Sequence, residues 1–321
     1  MIKILTIGAA VQDVFLSHSP EFKPVADKTA DELFIKIELG SKNDVNNINF
    51  STGGGATNAA VTFARQGLDV QFMGTIAHDP AGDAVLADMD KEGVDTNNVS
   101  YSDKYCTGYS VVLLASTGER TFLTYRGAST HYDIHNFDLD GTQADWLYVT
   151  SMAGNMEIID KIFRQAKSQK TKIFYNPGKD ELKKISKLKS LLEDVDILSV
   201  NRQEAKLIVD SDELEGLVRR LLNYVPMVIV SDGPNGVMAS DGKIIVRAGM
   251  YEDVKVIDRT GSGDAFGSGF LSYWAIGKSL KDSIVFASAN STSVVTKIGA
   301  KTGILQKGVV LHAMPLNEKS F

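Results

Sequence analysis

WLYVTSMAGNMEIIDKIFRQAKSQKTKIFYN, residues 146–176, holds two short apolar runs separated by a longer stretch of amphipathic spacing. Short apolar runs bounded by turn formers read as buried strands, and MEIIDKIFRQAKS between them reads as a helix. The pattern continues through ELKKISKLKSLLEDV, DILSV, RQEAKLIV, ELEGLVRRLLNY and MVIVS. Strands this apolar, each followed by an amphipathic helix, require cover on both faces. The order therefore predicts an α/β fold: a mostly parallel sheet flanked by helices on both faces.

Toward the N-terminus, IKILTIG ending at Gly8 reads as another buried strand. Residues 17–52 differ, being polar and turn-rich around ELFIKIEL, where Leu33, Ile35 and Ile37 alternate onto one face of an expected strand. ATNAAVTFARQ places Ala59, Ala60, Phe63 and Ala64 on one helical face and stops at Gly67, a natural C′ residue. VQFMG reads as a strand, and AGDAVLADMDKEG as a helix carrying Val85, Leu86 and Met89. GYSVVLLASTGERTFLTYRG reads as two strands about a turn at Thr117-Gly118, a hairpin able to pair with the earlier excursion. Excursions at about 14–52 and 106–128 thus predict a small β-sheet lid on one domain spanning 1–321, with no internal repeat, low-complexity run or long linker.

Composition narrows the class. The 321 residues are 43% hydrophobic and 23% charged with seven prolines, which argues for a globular chain against a disordered or fibrous one. A net charge of −6, with no basic run beyond KDELKKISKLK, argues against a nucleic-acid partner. Cys106 is the only cysteine, so an intrachain disulfide and a cysteine metal cage are excluded and a reducing, cytoplasmic setting is expected. No His residue sits at metal-ligand spacing. MIKILTIGAAVQDVFL is interrupted by Gln12 and Asp13, so it reads as a strand and neither as a membrane span nor as a signal.

The chemistry concentrates in DRTGSGDAF, residues 258–266. A helix N-terminus offers unpaired N–H groups and partial positive charge, and it binds an anion best where no side chain blocks the approach. Gly261-Ser262-Gly263 supplies that bare backbone, and Asp264 opens DAFGSGFLSYWAI, whose Phe270 and Trp274 mark an apolar face. Complementing the helix macrodipole, worth about 0.3–1 kcal/mol, is the ordinary explanation for such an acid. Two familiar phosphate motifs fail on spacing. A dinucleotide fingerprint from Gly261 meets Phe266 where its third glycine belongs, which removes the main support for a dehydrogenase. A Walker A loop ending in GKS at 277–279 meets Ser272. An anion cradle beside a carboxylate remains, the equipment for moving a phosphoryl group onto an alcohol.

GGGATNAAVTFARQG (53–67), FMGTIAHDPAG (72–82) and DRTGSGDAFGSGFL (258–271) together resemble the two signatures of the ribokinase-like, PfkB-type carbohydrate kinases. Asp13, YNPGKD (175–180), NRQE (201–204), SDGPNG (231–236) and VTKIGAKTG (295–303) follow in that family's order. The resemblance implies a ribokinase-like core with a β lid, ATP as donor and Mg2+. It makes Asp264 the catalytic base and the amides around Gly261, Ser262 and Gly263 the anion hole. It assigns Asp13, Gly54 and Asn58 to sugar hydroxyls, with helix capping as the competing account of Asn58. It assigns Asn201 and Glu204 to Mg2+ through water, against a capping box as the plain reading. Ser231, Gly233 and Gly236 fall on the nucleotide turn, which equally serves as a hairpin. In relatives with a monovalent-cation site of the K+ type the ligands are backbone carbonyls, and Asp258, Thr260 and the stretch Val294–Gly303, Gly299 within it, match those positions. Arg259 departs from the family's threonine and carries no role. Arg120 and Arg126 flank TFLTY, where charges facing solvent are the plain reading and substrate contact the alternative.

The combined reading is an ATP-dependent kinase acting on a hydroxymethyl group of a ribose-like or fructose-like sugar, with a homodimer through the lid as its expected assembly. A nucleoside kinase, with Phe15 or Phe34 as a wall for the base, is the nearest alternative. A non-catalytic sugar or nucleotide sensor is the next, although a binding module has no use for the proton acceptor Asp264.

Overall fold

Residues 146–176 form the strand Trp146–Val149, the helix Met156–Gln169 and the strand Lys172–Tyr175, and the two strands pair in parallel. This is a computed structural model, and it describes residues 1–17, 19, 22–27, 32–115 and 119–321. The same unit repeats along the chain and builds one ten-stranded sheet. From one edge, its parallel strands are Asp95–Tyr101, Asp69–Ile76, Lys3–Ile7, Trp146–Val149, Lys172–Tyr175, Ile197–Asn201 and Met227–Ser231. Val237–Ser240, Ile244–Ala248 and Leu316–Ser320 extend it in antiparallel fashion.

Alternate residues of each strand enter different cores, which is why these strands read as continuous apolar runs. Leu5, Leu147, Val149, Ile173, Tyr175 and Leu198 pack with the helices Met156–Gln169, Ile185–Leu191 and Leu214–Leu221. Ile4, Trp146, Tyr148, Phe174 and Ile197 pack on the opposite face with Gly55–Arg65, Pro80–Lys91, Ser262–Trp274 and Leu280–Val295. Gly67 ends its helix as expected, with a φ of 76° and its N–H on the Ala64 carbonyl.

The chain leaves the first strand for its neighbour on one side and later returns to the other side, so the strand order reverses between Lys3–Ile7 and Trp146–Val149. A crevice outside the carboxyl ends of the strands at such a reversal is where open α/β sheets bind ligands. A second sheet begins there, in the spatial order Asn47–Gly53, Val11–Ser17, Gly108–Leu114, Arg120–Tyr125. The two excursions therefore do join, Val11–Ser17 lying parallel to Gly108–Leu114 and antiparallel to Asn47–Gly53. The expected turn at Thr117-Gly118 lies outside the described residues.

Two expectations need correction. ELFIKIEL is a strand only over Glu32–Phe34, paired with Val25–Asp27 in a separate ribbon, and Leu33 and Ile37 are exposed. Alternation alone does not make a strand where no sheet edge is offered. ELKKISKLKSLLEDV is no single helix either, dividing into Lys179–Leu182, Ile185–Leu191 and a 3-10 turn at Leu192–Asp194.

The break follows from Glu181, which is fully buried. Its carboxylate accepts from the N–H groups of Met152 (2.7 Å), Gly154 (2.9 Å) and Gly178 (2.9 Å) and from the Ser151 hydroxyl (2.9 Å), clipping together the loops after two adjacent strands. Glu181→Leu strands three backbone donors, each worth about 1–3 kcal/mol when buried unpaired. Urea unfolding of this variant is expected to show a loss of about 3 kcal/mol or more.

Candidate active site

Two glycine turns face each other across the reversal point. Gly54, with a φ of 103°, precedes the helix Gly55–Arg65, and a Cβ on it would collide with the Ala9 carbonyl. Gly261, with a φ of 74°, precedes Ser262–Trp274, and a Cβ there would run into Ala300. Both positions demand glycine on conformation and on space. The two helices share the same core, and Gly267 lets the second lie close on the sheet, since a Cβ there would stand 2.6 Å from the Tyr148 hydroxyl. A Cβ on Gly55 would lie 3.1 Å from Thr150 and 3.2 Å from Asp264 Oδ1, so backbone, strand end and acid converge.

Asn58 is no cap. It lies one turn inside its helix, its N–H on the Gly54 carbonyl, and its buried side chain donates through Nδ2 to Asp264 Oδ2 at 2.8 Å. The other arm of the amide, Oδ1, is buried and has no hydrogen-bond partner. Asp264 sits in the first turn of its helix, where the dipole favours an acid, and is half-buried. Burial pushes its carboxyl above the usual range, while the Asn58 hydrogen bond and the Lys301 charge pull it back. No side chain caps this helix. Ala265 makes the first intrahelical bond, to Gly261, and the Ser262 N–H turns back to Arg259 at 3.3 Å. The N–H groups of Gly263 and Asp264 remain in the open first turn, and a Cβ on Gly263 would meet nothing within 4 Å. Gly263 is among the residues whose amides the resemblance assigned to the anion hole, while the Ser262 N–H is bonded to Arg259.

Asp13 lies in Val11–Ser17, beside Ser110 on the neighbouring strand, and is 5% exposed. Burial raises its carboxyl above the ordinary range, Ser110 and Lys301 opposing and Asp258 reinforcing the rise. Gly53 approaches this carboxylate so closely that a Cβ would collide with it, while Gly54 shapes the turn. Lys301, which the sequence reading passed over inside VTKIGAKTG, is the buried cation of the region. Its ammonium donates to Thr52 Oγ1 at 2.7 Å and Asp88 Oδ2 at 2.9 Å, and the Thr52 hydroxyl donates to the same Asp88 oxygen. Burial lowers Lys301, with Asp88 opposing; burial raises Asp88, but Lys301 and Thr52 outweigh it and hold it below its usual range. Arg65 fixes the backbone of this loop, donating to the carbonyls of Lys301 (3.0 Å) and Ile304 (2.8 Å) while paired with Glu92.

Asn201 and Glu204 form the capping box of Arg202–Ile208. Asn201 Oδ1 accepts from the Glu204 N–H and Glu204 Oε2 from the Asn201 N–H, both at 2.9 Å. Burial raises the Glu204 carboxyl, with the Asn201 bonds and Lys179 opposing. Ser231 pairs with Asn201 across the sheet, and Arg202 bonds Asp232 at 2.9 Å, joining the NRQE and SDGPNG segments. Gly233 and Gly236 have φ of 53° and 91°, and a Cβ on Gly236 would collide with the Ala248 carbonyl. The turn does act as a hairpin between Met227–Ser231 and Val237–Ser240. Three strand spacings, about 14 Å at about 4.8 Å each, separate this group from the first strand along the same sheet edge.

Asp258 is 2% exposed, and both of its carboxylate oxygens accept hydrogen bonds. Oδ1 accepts from Thr260 N (3.0 Å) and Oγ1 (2.7 Å), Oδ2 accepts from Gly299 N (3.0 Å), and Arg120 Nε stands 3.3 Å from Oδ1. Arg120 therefore points inward, its side chain 22% exposed, contrary to the plain reading; Arg126, at 64% and 3.9 Å from Asp180, does face solvent. Arg259 and Cys106 are exposed. Among the described residues no cluster of three His, Cys, Asp or Glu is placed to hold a metal, and no helix is long and apolar enough to cross a membrane.

The chain is similar to known proteins. A chain described as a ribokinase from Haemophilus influenzae is 27% identical over 271 residues, covering 80% of this chain and 85% of that one. A fructokinase from Salmonella typhimurium is 26% identical over 78% of this chain and 88% of its own. A solved structure described as a putative ribokinase II from E. coli in complex with ATP and Mg2+ superimposes with a TM-score of 0.80 at 20% identity, covering 95% of this chain and 96% of that one. The model of the pfkB family carbohydrate kinases matches residues 25–307, and the chain belongs to that family.

Proposed function

We propose that this kinase transfers the γ-phosphoryl group of ATP to the hydroxymethyl group of a small ribose-like or fructose-like sugar. The observation that carries this reading is the Asn58 amide. Its Nδ2 holds the base, Asp264, and its buried Oδ1 lacks a donor, which a sugar hydroxyl supplies. Asp13 offers a second acceptor for adjacent hydroxyls. Asp264 takes the hydroxyl proton as that oxygen bonds to the γ-phosphorus and the bridge to the β-phosphate breaks, releasing ADP. The N–H groups of Gly263 and Asp264 face the charge on the moving group. The small sheet serves as a lid that keeps water from the phosphoryl group.

Asn201 and Glu204 suit an outer-shell role. Their capping bonds occupy Oδ1 and Oε2, leaving Glu204 Oε1 for a water of an ion that keeps most of its waters. Mg2+ held there supplies charge neutralisation for the donor phosphates. Ser231, Gly233 and Gly236 lie beside this pair, where the nucleotide would run.

Sugar-stimulated ADP release across pentoses, ketohexoses, sugar phosphates and nucleosides tests the reading, with turnover on a sugar expected. Preference for nucleosides would favour the base-binding alternative, and saturable binding without turnover a sensor. Asp264→Asn is expected to lower kcat by about 10²–10⁴-fold while sugar and ATP still bind by calorimetry.

Because burial raises Asp264, the base form is lost as pH falls through a value above the ordinary carboxylate range. The acid limb of kcat/KM is expected there. Asn58→Leu removes a contribution that lowers the pKa and should move the limb further up, alongside weaker sugar binding.

The outer strands of the lid leave Ile48, Phe50, Phe122, Leu123 and Tyr125 exposed beside unpaired sheet edges. A second copy covers such edges symmetrically. Sedimentation is expected to show a dimer that Phe50→Asp with Leu123→Asp converts to monomer.

A further inference from the structure

We propose that Arg120 is a positioning residue for phosphoryl transfer, a cation carried by the lid that holds the glycine turn in its anion-binding shape by neutralising Asp258. The inference rests on the kinase reading above. Asp258 opens DRTGSGD and is the clip that sets the turn. Its carboxylate fixes Thr260, the residue before the left-handed Gly261, through both N–H and hydroxyl. It also fixes Gly299, next to the Ala300 that closes on Gly261. These three donors are neutral, and a carboxylate 2% exposed has little water to balance its charge. The nearest cation is Arg120, at the start of the outer lid strand Arg120–Tyr125, far in sequence from the loop it reaches.

The pairing is incomplete as it stands. Arg120 Nε is 3.3 Å from Asp258 Oδ1 and lacks a hydrogen bond of good geometry, although the atom is buried. Charge-assisted N–H···O bonds close to about 2.7–2.9 Å, so a shift of about half an ångström in the lid strand completes this one. The turn that presents the Gly263 and Asp264 amides is thereby tied to the position of the lid. A small displacement of Thr260 moves those amides relative to the phosphoryl group, where donor placement matters most to rate.

Arg120→Met is compared with Arg120→Lys and the parent in steady-state ADP release, with thermal unfolding of each protein recorded. The Met variant is expected to lose kcat by about 10- to 100-fold while KM for the sugar changes less than about threefold, a split that loss of sugar contact would not give. The Lys variant keeps a cation and should stay within about fivefold of the parent. Millimolar guanidinium ion should restore part of the Met variant's kcat. A Met variant within twofold of the parent, or a Lys variant as impaired as Met, overturns the proposal. Should the Met variant not fold, Arg120→Gln against Arg120→Lys makes the same comparison, and equal kcat in those two overturns it. A parent without sugar-stimulated turnover instead refutes the kinase reading, before any variant is measured.

Discussion

The 2.8 Å hydrogen bond from Asn58 to Asp264 joins two helices whose residues stand 206 positions apart, and the site exists only where it is made. A carboxylate pushed into the protein loses hydration, and unless something donates to it the acid form takes over. The amide supplies that donor without adding a charge, so Asp264 remains a carboxyl group that titrates higher than a solvated one. The rest of the architecture makes the meeting possible. The strand order reverses beside Gly8 and Thr150, two glycine turns bring the helix N-termini inward, and Gly267 removes the side chain that would hold the second helix off Tyr148.

Charge around this bond is arranged in compensated pairs and uncompensated acids. Asp88 faces Lys301 and Asp258 faces Arg120, so those four groups are balanced. Asp13 and Asp264 are the acids left without an ion-pair partner, and both are shifted upward by burial. Partnered charges hold loops in place, while unpartnered ones retain the lone pairs that an alcohol can use. Lys301 stands between the two sets, bonded to Asp88 yet close enough to act on both acids.

Much of this was legible in the chain. Apolar runs such as WLYVT and MVIVS reported strands covered on both faces, and the bare backbone of Gly261-Ser262-Gly263 reported a helix start that no side chain caps. Features set by partners distant in sequence were not. Glu181 sits among lysines in a segment with the spacing of a solvated helix, and only the loops folding over it reveal its inward turn. ELFIKIEL has the alternation of a strand but meets a sheet edge only over Glu32–Phe34. Arg120 resembles any lid charge until its depth is seen. Lys301 gave no local signal, because a lysine is buried only where its partners are, and those are the Thr52 hydroxyl and the Asp88 carboxylate.

Asp13, Asn58 and Asp88 come from the first third of the chain, whereas Asp258, Asp264 and Lys301 come from the last quarter. Contacts of such sequence separation form late and carry a large loop-closure cost, so the order of synthesis matters. A nascent chain that has emerged only through its first two hundred residues already holds Asp13, Asn58 and the Gly54 turn but lacks Asp264, the Gly261 turn and Lys301. Asn58 must then wait for its partner with an apolar helix face unsealed. Assembly of the site should therefore be abrupt, waiting on residues 258–301 to leave the ribosome, and that interval is when the half-made core is open to chaperones and to misassembly.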